Sequence, residues 1–121
     1  MSDLHIQMAP QPDGAVVVTL NGQLDIPGAG TLERQLTTLL VRHPKHVVFD
    51  VTDVTFISSL AMGVLMTFRR GCTTHGGRIT LAGAHPMIAG SLKHAGLQTL
   101  LPMSATVEEA LASVATPQPA K

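Results

Sequence analysis

The run Val47-Val48-Phe49-Asp50-Val51 limits what this chain can fold into more than any other segment. Strong β preference with almost no polar interruption predicts a strand covered on both faces. Such a strand needs helices to cover it, and the flanking segments supply them. Upstream, Leu32, Leu36, Leu39 and Leu40 recur at helical spacing, with Glu33, Arg34 and Gln35 between them. Downstream, Ser58-Ser59 opens an apolar stretch that reads as a helix to Thr74 and is ended by Gly76-Gly77. A strand framed by helices belongs to a mostly parallel sheet.

The remaining segments extend that pattern. Leu4 to Met8 alternates apolar and polar residues, and Ala15 to Leu20 is rich in Val and Thr. The turn between them, Pro10 to Gly14, makes the pair an antiparallel hairpin. Asn21 to Asp25 leaves the second strand, and Pro27-Gly28 breaks the pattern before the first helix, which Pro44 stops near His43. Thr52 to Ile57 leads to the two serines. Arg78 to Ala82 reads as a strand, and Pro86 opens a helix to about Ala95, with Gly96 as its stop. Leu97 to Pro102 reads as a short strand. Thr106-Val107-Glu108-Glu109 has the form of a capping box that starts a last helix. The predicted order is β-β-α-β-α-β-α-β-α, a single α/β domain with a mixed, mostly parallel sheet and about four helices. Its span is residues 1–115, with a frayed tail at 116–121.

A chain of 121 residues fits one domain and buries enough surface to fold without disulfides or metal. Cys72, the single cysteine, fits a reducing compartment. We read no signal peptide at the N-terminus, and Leu60 to Phe68 is far short of a membrane span, so the expected location is the cytoplasm. Eight basic residues balance eight acidic ones, and Tyr and Trp are absent. That argues against nucleic acid as a partner. Low charge with high apolar content points to a protein partner or a homodimer.

Little in the sequence points to catalysis. The histidines (His5, His43, His46, His75, His85, His94) are scattered, with no metal-ligand spacing. Cys72 reads as a small buried thiol. Asp25, Asp50 and Asp53 fall at or just after expected strand ends and read as loop solvation and caps. No phosphate loop, dinucleotide fingerprint or nucleophile elbow occurs. We therefore expect no enzyme, no cofactor and no metal. Ser58 and Ser59 stand apart. A serine before an apolar helix is an N-cap, which accounts for one of them. A helix N-terminus also tolerates negative charge, so a phosphate there would alter binding without unfolding the domain. Met62 and Met66 share a helix face. Core packing is the simpler reading for them, and an adaptable docking patch beside Ser59 is the other.

The residues also resemble a known family, the stand-alone STAS domains that act as anti-sigma factor antagonists. Leu20-Asn21-Gly22-Gln23-Leu24-Asp25 is similar to the family's L-x-G-x-L-D segment. Val47 to Val51 followed by Val54 to Ile57 is similar to its central strand and the approach to its switch. Gly63-Val64-Leu65, then Gly76 to Leu81, and Ala95-Gly96-Leu97 through Leu111 carry the match onward.

The resemblance implies a regulatory protein-binding module. Its partner would be an anti-sigma factor with serine kinase activity, with a phosphatase resetting the cycle. The ATP chemistry belongs to that partner. The usual switch motif reads D-S-S-G-L-G, with the phosphate on the second serine. Anchored on Gly63, this chain has Ser58 at the aspartate, Ser59 at the first serine and Leu60 at the usual acceptor. A scaffold branch of stress-signalling complexes has D-S-F-I and uses the first slot, which Ser59 resembles better. On this resemblance Ser59 is the phosphorylation site, with Ser58 the second choice. The partner-binding residues are Asp25, Ser58, Ser59, Leu60 and Met62. The other reading is a non-phosphorylated accessory or scaffold subunit of a stress-signalling or transport complex.

Overall fold

The computed structural model describes residues 4–115, so the tail expected at 116–121 lies outside the described residues. The elements are β1 (His5–Pro10), β2 (Ala15–Leu24), α1 (Ile26–Leu40), β3 (His46–Ile57), α2 (Ser59–Thr74), β4 (Arg78–Ala82), α3 (Pro86–His94), β5 (Met103–Ser104) and α4 (Val107–Ala115). The strands form one sheet in the order β1-β2-β3-β4-β5. β1 and β2 are antiparallel, and every later pair is parallel. This is the expected order in an α/β sheet that is mixed and mostly parallel.

Several boundaries differ from those read in the sequence, each for a local reason. β1 runs to Pro10, two residues beyond Met8, because Ala9 and Pro10 still sit opposite Val17 and Val16. β2 does not end at Leu20. It continues to Leu24 beside β3 through two register irregularities, and Gly22 takes a φ of 127°, which suits glycine. Pro27 does not precede α1 but sits in its first turn, where its missing N–H costs nothing. The helix ends at Leu40, before His43, whose φ of 50° is left-handed. β3 absorbs Thr52 to Ile57, so Asp50 and Asp53 lie within a strand rather than at its end. The strand read at Leu97 to Pro102 is a turn. The Leu97 N–H donates to Leu92 O, and the Leu100 and Leu101 N–H groups donate to Leu97 O. Leu101 is buried as an anchor of that turn, and the chain pairs with β4 only at Met103 and Ser104.

The helices divide between the two sheet faces. Leu32 and Leu36 of α1, Ala61, Leu65 and Phe68 of α2, and Ile88 and Leu92 of α3 share one core with Val47, Phe49, Ile79 and Leu81. Phe49 and Phe68 meet edge to face, with ring centroids 5.7 Å apart. Ala110 of α4 closes a smaller core on the other face with Val17, Val48 and Ala82. The Thr106 hydroxyl accepts the Glu109 N–H at 3.1 Å, the expected cap of α4. Cys72 is buried in the larger core, and burial raises its thiol pKa to about 11. His46, at the start of β3, is buried against Thr80, with Nε2 and Oγ1 2.9 Å apart.

Candidate functional site

Parallel strands deliver their following helices to one end of the sheet. The N-termini of α1, α2 and α3 therefore gather beside the ends of β2, β3 and β4. The Ser58 N–H donates to Leu24 O at 2.8 Å and ties the first two of these turns together. Asp25 caps α1, its Oδ1 accepting the Gly28 N–H at 2.8 Å. Ser58 caps α2, its Oγ accepting the Ala61 N–H at 3.1 Å. Both residues have the extended backbone that a cap needs. α3 starts at Pro86 without a side-chain cap.

The capping separates the two serines. The Ser58 hydroxyl is half-buried and engaged. Ser59 is the first residue of α2, is exposed, and has a hydroxyl that makes no hydrogen bond among the described residues. Leu60 follows it with about half of its surface exposed (53%). Met62 instead leans against the core, as does Met66, so core packing accounts for both methionines in part. The structure thus brings Asp25, Ser58, Ser59 and Leu60 to one end, with Asp25 and Ser58 serving as caps and Met62 turned inward.

Ser59 lines a groove of about 480 Å³ whose other wall is α3, through Met87, Gly90, Ser91 and His94, with Ala95 just past its end. A second hollow of about 420 Å³ continues past Met87 to His85, Pro86, Val54 and Thr55. Met87 is 71% exposed at the junction. Ile26 at the start of α1 and Phe56 near the end of β3 are also exposed. Four large apolar side chains (Ile26, Phe56, Leu60, Met87) therefore stand in water at this end of the sheet. None of the α3 residues was legible as part of the site, because α3 reaches Ser59 only through the fold. Pro86 marks the helix start, and Met87 directly after it was the available signal.

Two glycines sharpen the picture. A Cβ on Gly71 would lie 2.5 Å from Leu40, so that glycine serves α1–α2 packing. A Cβ on Gly63 or Gly90 would meet nothing within 4 Å. Glycine inside a helix costs about 1 kcal/mol relative to alanine, and packing requires neither of these two. Gly63 lies one helical turn from Ser59, and Gly90 lines the groove. Both keep the surface low beside the free hydroxyl.

Asp50 is occupied by Thr52, accepting its N–H at 3.1 Å and its hydroxyl at 2.6 Å. Among the described residues, no group of three or more His, Cys, Asp or Glu is placed to hold a metal ion. No described helix is long and apolar enough to cross a membrane.

Fold and site together define a small α/β module with a mixed five-stranded sheet, whose exposed apolar side chains surround the start of its second helix. The chain belongs to the STAS domain family, whose model matches residues 7–110. An anti-sigma factor antagonist from Mycobacterium paratuberculosis superposes with a TM-score of 0.85 at 22% identity, over 94% of this chain and 96% of that one. The anti-sigma factor antagonist SpoIIAA in its unphosphorylated form gives 0.81 at 20% identity, over 95% of this chain and 100% of that one. The Bacillus cell fate determinant SpoIIAA in its phosphorylated form gives 0.71 at 21%, over 91% and 99%. This chain shares their fold.

Proposed function

We propose that this chain is an anti-sigma factor antagonist that docks on a kinase-type anti-sigma factor through the groove at Ser59, and that a phosphate on Ser59 ends the docking. The observation that carries this reading is the division of labour between the serines. Ser58 is used up as the helix cap, while Ser59 stands free and exposed between Leu60 and the Met87 wall. The structures of SpoIIAA in two phosphorylation states support it by analogy of fold.

The physics of the switch follows from the site. Ser59 sits in the first turn of α2, where the helix dipole favours negative charge, so the fold accepts the phosphate. The docking surface does not accept it. Nearly two charges would enter an interface built on Leu60, Met87 and Phe56, and desolvating them would outweigh the apolar gain. The chain itself acts by binding, in the cytoplasm, and catalyses nothing. A phosphatase restores the bare hydroxyl.

Incubation with a cognate kinase and ATP, followed by mass-spectrometric mapping, tests the assignment. Phosphate on Ser59, and its loss in Ser59→Ala with no transfer to Ser58, is the expected result. Phosphate found only elsewhere refutes it. Leu60 in the family's usual acceptor slot favours one other reading, a constitutive binder; unchanged partner binding with no phosphate incorporated would establish that instead.

A further inference from the structure

The far half of α2 and the open edge of β4 enclose a smaller cavity of about 230 Å³ that the docking reading does not use. Arg69 and Thr73 of α2, Arg78 and Thr80 of β4, and Thr99 and Ser104 beyond α3 line it. Two guanidinium groups and four hydroxyls thus border one space, and no carboxylate lines it. Neither arginine forms an ion pair among the described residues. Two like charges on one small cavity repel each other, and an anion between them turns that repulsion into attraction.

The backbone adds a donor. The Arg78 N–H turns toward β3 and donates to Lys45 O at 3.1 Å. The Leu81 and Gly83 N–H groups turn the other way, to Pro102 O at 2.8 Å and Ser104 O at 3.0 Å. Alternation along a parallel strand sends the Ile79 N–H to that same side. β5 pairs only with Leu81 and Ala82. At Ile79 the edge of β4 therefore opens on the cavity that this residue lines. Thr80 is fixed from behind by its hydrogen bond with buried His46.

The geometry points to a binding site for a tetrahedral oxyanion, either inorganic phosphate or the phosphate group of a small ester. Guanidinium forks match phosphate oxygens two at a time, and the Thr99 and Ser104 hydroxyls with an amide N–H complete the donor set, since Thr73 spends its hydroxyl proton on Arg70 O and Thr80 is paired with His46. The space is several times the roughly 30 Å³ share of one water, enough for the anion with solvent or a short ester. Arg69 lies ten residues along α2 from Ser59, about 15 Å at the helical rise, so the site is separate from the docking groove. It stands or falls independently of the proposed function.

Titration of the isotope-labelled full chain with sodium phosphate, at constant ionic strength set by chloride, tests it by amide chemical shifts. A parallel titration with glycerol phosphate distinguishes ion from ester by which binds tighter. Saturable shifts at Ile79, Thr80, Thr99 and Ser104 are expected. Arg69→Gln and Arg78→Gln should each weaken binding at least about tenfold, while Arg34→Gln on α1 should leave it unchanged. If a glutamine variant loses its amide dispersion, the lysine variant at that position replaces it, with several-fold weakening expected because the charge stays and the fork is lost. No saturable shift at these amides with either probe, or equal affinity in the folded Arg69 and Arg78 variants, overturns the proposal.

Discussion

His46 makes the stability of this domain depend on pH in a way that can be worked out in advance. Its ring is fully buried, Nε2 meets Thr80 at 2.9 Å, and Nδ1 is buried with no partner. With Nε2 paired to Thr80, the second proton of a charged ring would sit on Nδ1 and find no acceptor. Burial above all, then the positive charge of Arg78, lowers the pKa from 6.5 to about 4, against an opposing pull from Asp13. The unfolded chain keeps the ordinary value, so below it the unfolded state binds the proton that the folded state refuses. The contribution is therefore fully present above about pH 6.5 and is lost as pH falls toward about 4. Linkage gives a loss of about 2 kcal/mol between pH 7 and pH 5, and about 3 kcal/mol over the whole window. Urea denaturation at pH 7, 6 and 5 measures it, with His46→Gln as the reference because it keeps a polar group near Thr80 but does not titrate. The wild type should lose about 2 kcal/mol more than the variant over this range. Parallel pH profiles for the two proteins would refute the argument that a proton is excluded from this ring.

Three further expectations concern the docking end. Ser58→Ala should cost about 1 kcal/mol of stability through loss of the cap, and Ser59→Ala less than about 0.5, both read from urea melts. Gly90→Ala should stabilise the fold by about 0.5–1 kcal/mol, since its Cβ meets open space, yet weaken partner binding measured by titration calorimetry. Leu60→Asp and Met87→Asp should leave the melting temperature nearly unchanged and lower partner affinity at least about tenfold, whereas Met62→Asp should also lower the melting temperature, because Met62 packs against the core.

Much of the fold was legible because its strongest signals are local. The Val47 to Val51 run, the leucine stripe of α1 and the serine cap of α2 each follow from short-range spacing, and each holds in the structure. What was hidden is what pairing decides. β2 passes through Gly22 only because β3 lies beside it and tolerates a bulge. β5 has two residues, too few for any alternation, while Leu97 to Leu101 offers a stronger apolar pattern that folds as a turn. The site divides in the same way. Ser58, Ser59, Leu60 and Asp25 lie beside recognisable caps. Met87, Gly90 and His94 lie about thirty residues further along, and only the placement of α3 brings them to Ser59.

Whether Ser59, and not Ser58, governs docking can be read from phosphate placed on each serine in turn. Phosphoserine is installed at position 59 or at position 58 in otherwise identical proteins, and the affinity of each for the purified anti-sigma partner is compared with that of the unmodified chain. Phosphate at Ser59 should lower affinity at least about tenfold while the domain stays folded, because the helix N-terminus accepts the charge and the exposed apolar side chains Leu60 and Met87 beside it do not. Phosphate at Ser58, whose oxygen already accepts the Ala61 N–H within the cap, should lower affinity less than phosphate at Ser59. Undiminished affinity in a folded protein carrying phosphate on Ser59 would show that Ser59 does not govern docking.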